Sequence, residues 1–334
     1  MITKQELRRI NKFDTHSHIG ADARNTDTSS GDLERYCAAA KEKNITRAVL
    51  IGVPLPRYQT AEGVYTPVNW EVDRMKMNTY SEIVGPDGKS VRGPVRENPF
   101  AESNERLARE VEEASSSDLS LHFAPHVHPL LDTQEHLKSV LKKKPIAVKI
   151  HGSSWGIDPR DIPAEFFEAV RKYDVPLILH TDYNTQPHDG RQLIQRANDP
   201  LNWINVCREY EVRASLAHGL RLCEESWEKV KESGDQFLVG FGPRLTTREE
   251  DIEGFDPKRG YRVKKRGGDY VTDLMEMADP SKLAYDVDFA WNRNDNGSPD
   301  WNMDEELIGK MPDGCFKDFY RGNAERFYRM GENE

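Results

Sequence analysis

The sequence predicts an α/β protein, and three observations predict it. Eight short apolar runs of strand length recur along the 334 residues. Polar loops and stretches with helical period alternate with those runs. Histidine and aspartate stand at the C-terminal ends of several of them. Strands that alternate with helices pair in parallel through right-handed crossovers. Eight such units close a (β/α)8 TIM barrel, whose functional groups gather where the strands end.

The expected strands are 13–16, 47–53, 119–127, 146–151, 175–180, 213–217, 236–241 and 282–289. The helices between them carry punctuation. Asp161-Ile162-Pro163 opens a helix over 164–173, with an acid as N-cap and a proline near the first turn. Asp199-Pro200 opens 201–210 in the same way, and 104–114, 133–143 and 224–233 also read as amphipathic helices. A doubly wound open sheet is the competing arrangement. It usually carries a glycine-rich phosphate turn after the first strand, and His16-Ser17-His18-Ile19-Gly20 is no such turn.

Two segments exceed ordinary connections. The stretches 54–99 and 243–279 follow the second and seventh strands, and loops of that length are usually functional or decorative insertions. In a barrel both stand over the C-terminal, active-site face. The whole chain, 1–334, then reads as one barrel domain with two insertions, which also offer surface for a homodimer.

Composition narrows the partners. With 47 basic and 57 acidic side chains the net charge is −10, unsuited to bulk attraction by nucleic acid or anionic membranes. The longest apolar run lies near 48–51, far short of the roughly 18 residues of a membrane span. The first residues, Met1 to Glu6, have no apolar signal core. Cys37, Cys207, Cys223 and Cys315 lack CxxC spacing and read as inert thiols, so a reducing, cytoplasmic setting is expected.

The chemistry lies in the strand ends. His16 and His18 end the first strand, His151 the fourth, His180 the fifth, His218 the sixth, and Asp286 and Asp288 the eighth. Side chains two apart on a strand point the same way, so His16 and His18 can share one ion. A lone histidine at a strand end is more often a structural residue. Four strand ends carrying His-x-His, His, His and Asp in order form a much stronger signal, because imidazole and carboxylate are ordinary ligands of divalent cations. His126 and His128 form a second His-x-His, read as packing or hydrogen bonding. Six cations fall within 258–266, which reads as a solvated run or a basic rim for an anion. Arg244, just after the seventh strand, is a better placed anion clamp. Gly-x-Ser-x-Gly is absent.

These residues resemble the amidohydrolase superfamily, most closely its amidohydrolase-2 branch, which holds the amino-carboxymuconate-semialdehyde decarboxylase-like enzymes. Phe13-Asp14-Thr15-His16-Ser17-His18 is similar to the family's first-strand signature. Ala147 to Gly152, Leu177 to Asp182 and Leu283 to Trp291 are similar to its fourth, fifth and eighth strands, and Gly322 to Phe327 to its closing helix. The resemblance implies that His16, His18, His180 and Asp288 hold one divalent ion. Zn²⁺ comes first, although such ligands also suit Mn²⁺, Fe²⁺ and Ni²⁺. It places His218 beside the water or the reacting group, with Asp288 as the proton acceptor. Asp286 is a rival ligand where the family usually has a small residue; Phe289 and Trp291 favour Asp288. In binuclear relatives a fourth-strand lysine bridges two metals. Lys149 and His151 are read instead as substrate-side residues, with Arg244.

The expected activity is metal-dependent hydrolysis of an amide, ester or lactone in a small, carboxylate-bearing molecule. Non-oxidative decarboxylation of an aromatic or unsaturated acid is the alternative on the same ligands, and a non-catalytic metal-binding barrel is the second.

Overall fold

The computed structural model describes residues 2–19, 31–52, 97–152, 157–181, 199–220, 223–241, 270–289, 307 and 309–330, and the backbone of five short strands between 58 and 94. Eight strands alternate with helices: β1 (Lys12–Ile19), β2 (Ile45–Gly52), β3 (Ser120–Ala124), β4 (Val148–Ile150), β5 (Leu177–His180), β6 (Ala214–Ala217), β7 (Phe237–Phe241) and β8 (Leu283–Tyr285). After the N-terminal α1 (Lys4–Arg9), seven helices connect consecutive strands: α2 (Gly31–Glu42), α3 (Ala101–Ala114), α4 (Gln134–Lys142), α5 (Ala164–Tyr173), α6 (Pro200–Glu209), α7 (Glu224–Glu232) and α8 (Tyr270–Met277). A last helix, α9 (Asn323–Phe327), follows β8.

All pairings among β1–β8 are parallel. They form a three-stranded sheet, β1-β2-β3, and a five-stranded sheet, β8-β7-β6-β5-β4. The ladder is not continuous around the ring. One seam is a single bridge between His126 and Lys149. The other joins β1 to the segment after β8, through Asp288 N–H to the His16 carbonyl at 2.8 Å and His18 N–H to the Phe289 carbonyl at 3.3 Å.

Side-chain alternation produces the barrel's two layers. One buried cluster takes a residue from every strand or its first flank: Phe13, Val49, Ile51, Ala124, Ala147, Ile178, Ala217, Leu238 and Ala284. The neighbouring residues, such as Leu50, Ile150, Leu179, Leu216 and Val239, face the helices in a second cluster. The inner layer is rich in alanine and is filled from below by Ala324, Phe327 and Tyr328 of the C-terminal segment. Arg47 at the start of β2 pairs with Glu325 at 2.8 Å, which fixes that segment at the N-terminal ends of the strands.

The eight expected strands are all present, with shifted ends. β8 stops at Tyr285, and three residues on Asp288 has φ +52°, a left-handed conformation through which no strand continues. β1 runs on to Ile19, and its register against β2 slips between Asp14 and Ser17, the mark of a bulge with one extra residue.

The cap expected at Asp161 is corrected. Asp161 closes a short 3-10 turn, Pro159–Asp161, and α5 begins after Pro163 without a side-chain cap. The Asp-Pro pair acting there is Asp158-Pro159: Asp158 accepts from Arg160 N–H at 3.1 Å and bonds its guanidinium. Asp199 does cap α6, accepting from Leu201 N–H at 2.9 Å. Helix α2 was not among the expected helices, and among its described side chains the buried ones are Tyr36 and Ala40.

Within 54–99, five strands form two antiparallel groups. Tyr58–Thr60 pairs with Gly63–Tyr65, and Trp70–Val72, Tyr80–Val84 and Ser90–Pro94 form a meander. Of the second insertion, α8 occupies the end; 243–269 lies outside the described residues.

Candidate metal centre

The site forms where β1, β4, β5, β6 and β8 end. β1 delivers His16 and His18, whose Nε2 atoms stand 2.8 Å apart. The β1 bulge lies between Asp14 and Ser17, and bulges near active sites re-aim side chains. β4 delivers Lys149, whose Nζ is 3.4 Å from His16 Nε2, and just beyond it His151. His151 stacks on His180 from the end of β5, with ring centroids 3.9 Å apart. His180 in turn stands edge-on to His218, at 4.6 Å. The turn after β8 supplies the acids. Asp288 lies 3.7 Å from His18 Nε2 and 3.8 Å from His218 Nδ1, and Asp286 lies 3.7 Å from His16 Nδ1.

Donor atoms of His16, His218 and Asp288 all lie within 4.8 Å of one another, a spacing one cation can bridge. His180 is outside that three-donor group, and His18 touches it through His16 and Asp288. Each of the five residues is buried or nearly so. His218 (φ +67°) and Asp288 (φ +52°) are both left-handed, a conformation that costs a non-glycine residue about 1–3 kcal/mol. Two such residues meeting at one carboxylate–imidazole contact is a functional signal.

Electrostatics prepare the imidazoles. Burial, followed by the nearby Lys149 charge, holds His16 and His18 well below the usual histidine range. Burial and then His151 do the same for His180. Burial and Lys149 push His151 down to about 3. All are therefore neutral near pH 7, the state in which a ring nitrogen can ligate a metal. Burial pushes Lys149 down to about 7 against the opposing pull of Asp286 and Asp288. Asp286 is raised well above the usual carboxylate range, first by burial and then by Asp288 and Asp14. Gly240 on β7 makes room for it: a Cβ there would lie 2.5 Å from Asp286 Oδ2.

The donor set fits a divalent ion. His16 Nδ1 and His180 Nδ1 are buried and have no hydrogen-bond partner among the described residues, a state that costs about 1–3 kcal/mol per atom. Neutral imidazoles beside carboxylates offer the lone pairs and negative charge that Zn²⁺ or a similar cation takes.

The strand-end residues expected from sequence thus converge, Lys149 and His151 included. Arg244 and the basic run 258–266 lie outside the described residues. His128 is structural: its Nδ1 accepts from Leu130 N–H at 3.4 Å, and its own N–H donates to Asp132 at 2.9 Å. His126 is buried against Phe100, with its backbone gripped on both sides by the Asn104 side chain. Sequence reasoning assigned no role to Asp14, Ser17 and Tyr36, yet they support the site. A carboxylate in a strand whose every residue is buried must find donors, and that rule marks Asp14.

The fold and site define an α/β barrel-type protein with a buried histidine–aspartate cluster at its strand ends. No protein-family model matches the chain, and no curated protein matches it. Among solved structures the chain is similar to dihydroorotase from Campylobacter jejuni, with a TM-score of 0.57 and 12% identity over 97% of this chain and 85% of that one. It is also similar to a probable 2-pyrone-4,6-dicarboxylic acid hydrolase from Acinetobacter baumannii, solved with citric acid bound. There the TM-score is 0.54 and the identity 11%, over 96% of this chain and 100% of that one. At such identity the likeness is one of fold.

Proposed function

We propose that this protein is a metal-dependent hydrolase that opens an amide, ester or lactone bond in a small, carboxylate-bearing molecule. The observation that carries the reading is the buried His16/His218/Asp288 donor group at three strand ends. His16, His18, His180 and Asp288 would hold one divalent ion, Zn²⁺ first. His218, whose strained backbone sets Nδ1 3.8 Å from Asp288 within the same donor group, is proposed as the residue that works on the reacting atoms beside the ion.

When bound, the ion supplies a Lewis acid and eases deprotonation of a water. The protein's residues divide the remaining work. Asp288 accepts the proton of the attacking water on a carboxylate oxygen and returns it to the leaving nitrogen or oxygen. His218 donates a hydrogen bond to the oxyanion that develops on the attacked carbonyl. Lys149 and His151 form the buried wall that meets the substrate's anionic end, with Arg244 proposed as a further clamp. Burial of the cluster excludes bulk water and strengthens each of these contacts.

The fold neighbour named for hydrolysis of a pyrone dicarboxylic acid supports testing lactones first. Zinc-reconstituted protein is screened against lactones, cyclic amides and esters that carry a carboxylate, following ring or ester opening and CO₂ release together. Turnover is expected without CO₂ and lost by at least about 100-fold in Asp288→Asn and His218→Ala, the scale of general acid–base and oxyanion contributions. CO₂ release at the rate of substrate loss would replace hydrolysis by decarboxylation. Full turnover in both variants would remove the mechanism.

A further inference from the structure

The Asp288 carboxylate faces His18 and His218 from a left-handed backbone (φ +52°), and the hydrogen bonds of the turn show what holds it there. Three consecutive amides of the turn are each captured by β1. Val287 N–H donates to Asp14 Oδ1 at 3.1 Å, Asp288 N–H to the His16 carbonyl at 2.8 Å, and Phe289 N–H to Ser17 Oγ at 3.2 Å. Asp14 is completely buried, and both its oxygens are engaged. Oδ1 also accepts from His16 N–H at 3.1 Å, and Oδ2 accepts from Ser17 Oγ at 2.5 Å and from the Tyr36 hydroxyl at 2.7 Å. With its oxygens occupied in this way, Asp14 is a scaffold for the site rather than a ligand.

Tyr36 reaches the turn twice. Its hydroxyl fixes Asp14, and its ring meets the edge of Phe289 with centroids 5.3 Å apart. It belongs to α2, so one helix outside the strand ring is tied to the acid at the centre.

We propose that Tyr36, Asp14 and Ser17 are positioning residues: a hydrogen-bonded relay from α2 through β1 that anchors the turn 286–289, holds Asp288 left-handed within it and so aims its carboxylate at the histidines. The effect on metal binding rests on the metal reading given above; the effect on the turn does not. Partners that orient ligands in this way typically change metal affinity by roughly 10–100-fold when removed.

Two readouts test the relay. Tyr36→Phe removes only the hydroxyl and keeps the ring against Phe289. Hydrogen exchange of the 286–289 amides is expected to quicken about tenfold in Tyr36→Phe and more in Asp14→Asn, with the β6 amides unchanged. Zinc affinity of the apoprotein, measured by chelator competition, is expected to weaken about tenfold in Tyr36→Phe and by up to roughly 100-fold in Asp14→Asn. Val230→Ala, a core truncation in α7, serves as the control for general destabilisation. Unchanged exchange in the 286–289 amides overturns the relay. Faster exchange with zinc affinity no weaker than in Val230→Ala reduces it to a structural tie and also overturns it. Wild-type protein that takes up no zinc while the exchange effect stands removes the metal reading and leaves the positioning of the turn. If Asp14→Asn does not fold, Tyr36→Phe decides alone.

Discussion

At the scale of single residues, the sharpest question is which of two histidines completes the ligand set. His180 and His218 stand edge to edge, with ring centroids 4.6 Å apart, so proximity alone does not separate them. Their surroundings do. His180 Nδ1 is buried without a hydrogen-bond partner among the described residues, whereas His218 Nδ1 faces Asp288 at 3.8 Å. Within this pair the nitrogen with an unclaimed lone pair is assigned to the cation, as is His16, whose Nδ1 also has no hydrogen-bond partner among the described residues, and the nitrogen beside Asp288 is assigned to proton traffic. His180→Ala and His16→Ala are therefore expected to purify with less than about a tenth of the metal of the wild type, and His218→Ala to keep close to one ion per chain. Elemental analysis checks this, and metal lost from His218→Ala but kept by His180→Ala would exchange the two roles. The strand-end positions of these residues were legible in the sequence because Leu177-Ile178-Leu179 and Leu283-Ala284-Tyr285 are apolar up to the polar residue that follows, and because His16 and His18 form a His-x-His at the end of the first strand. The left-handed backbones of His218 and Asp288 were not, since Asp and His take positive φ more often than most residues but still only in a small minority of positions. Nor was the Asp14–Tyr36 contact, which spans 22 residues and depends on how α2 packs.

At the scale of elements, helix α6 shows the cost of an acidic cap placed under cover. Asp199 is 5% exposed and caps the helix through the Leu201 amide at 2.9 Å. Burial still pushes its carboxyl up to about 7, with Glu225 adding to the rise and the helix amides and Arg160 opposing it. An unfolded aspartate titrates near 3.9. Between those values the folded chain holds a proton that the unfolded chain has released. The contribution of Asp199 is thus fully present below about pH 4 and is lost as pH rises through about 7, by roughly 4 kcal/mol at most. Asp199→Asn keeps a good cap without the titration. Urea midpoints at pH 5 and pH 8 are expected to fall further apart in the wild type than in Asp199→Asn, with the variant the more stable at pH 8. Parallel changes in both proteins would show that the cap stays ionised. The Asp199-Pro200 signal was readable in sequence because cap and proline were adjacent, and Asp161 misled because Asp158-Pro159, three residues earlier, forms the same signal and takes the turn.

At the scale of the whole molecule, the eight strands depend on one another through an inner layer that is mostly small. Ala124, Ala147, Ala217 and Ala284 leave space along the axis, and the C-terminal segment fills it from the floor with Phe327 and Tyr328. Phe13 of β1 meets Tyr328 with ring centroids 5.8 Å apart, and the Arg213 guanidinium, just before β6, lies 5.5 Å from the Phe327 ring. The segment thus touches both sheets, whose own ladder is interrupted at two seams. It acts as the plug that joins them, at the end opposite the histidines. Removing a buried phenylalanine ring costs about 3–5 kcal/mol where the surroundings cannot collapse. Four interior alanines have no side-chain length with which to fill the gap. Phe327→Ala is therefore expected to lower unfolding free energy by about 3 kcal/mol or more, a large part of a typical 5–15 kcal/mol. Zinc affinity and stoichiometry should hold at low temperature, because the strand ends that carry the ligands are separated from the plug by the full height of the barrel. Denaturant unfolding followed by tryptophan fluorescence measures the first effect, since Trp203 and Trp227 are both buried in the helix–sheet layer. A loss below about 1 kcal/mol would mean that the segment only covers the floor, and the two sheets would then be held together by their shared apolar clusters, the His126–Lys149 bridge and the β1–288 seam.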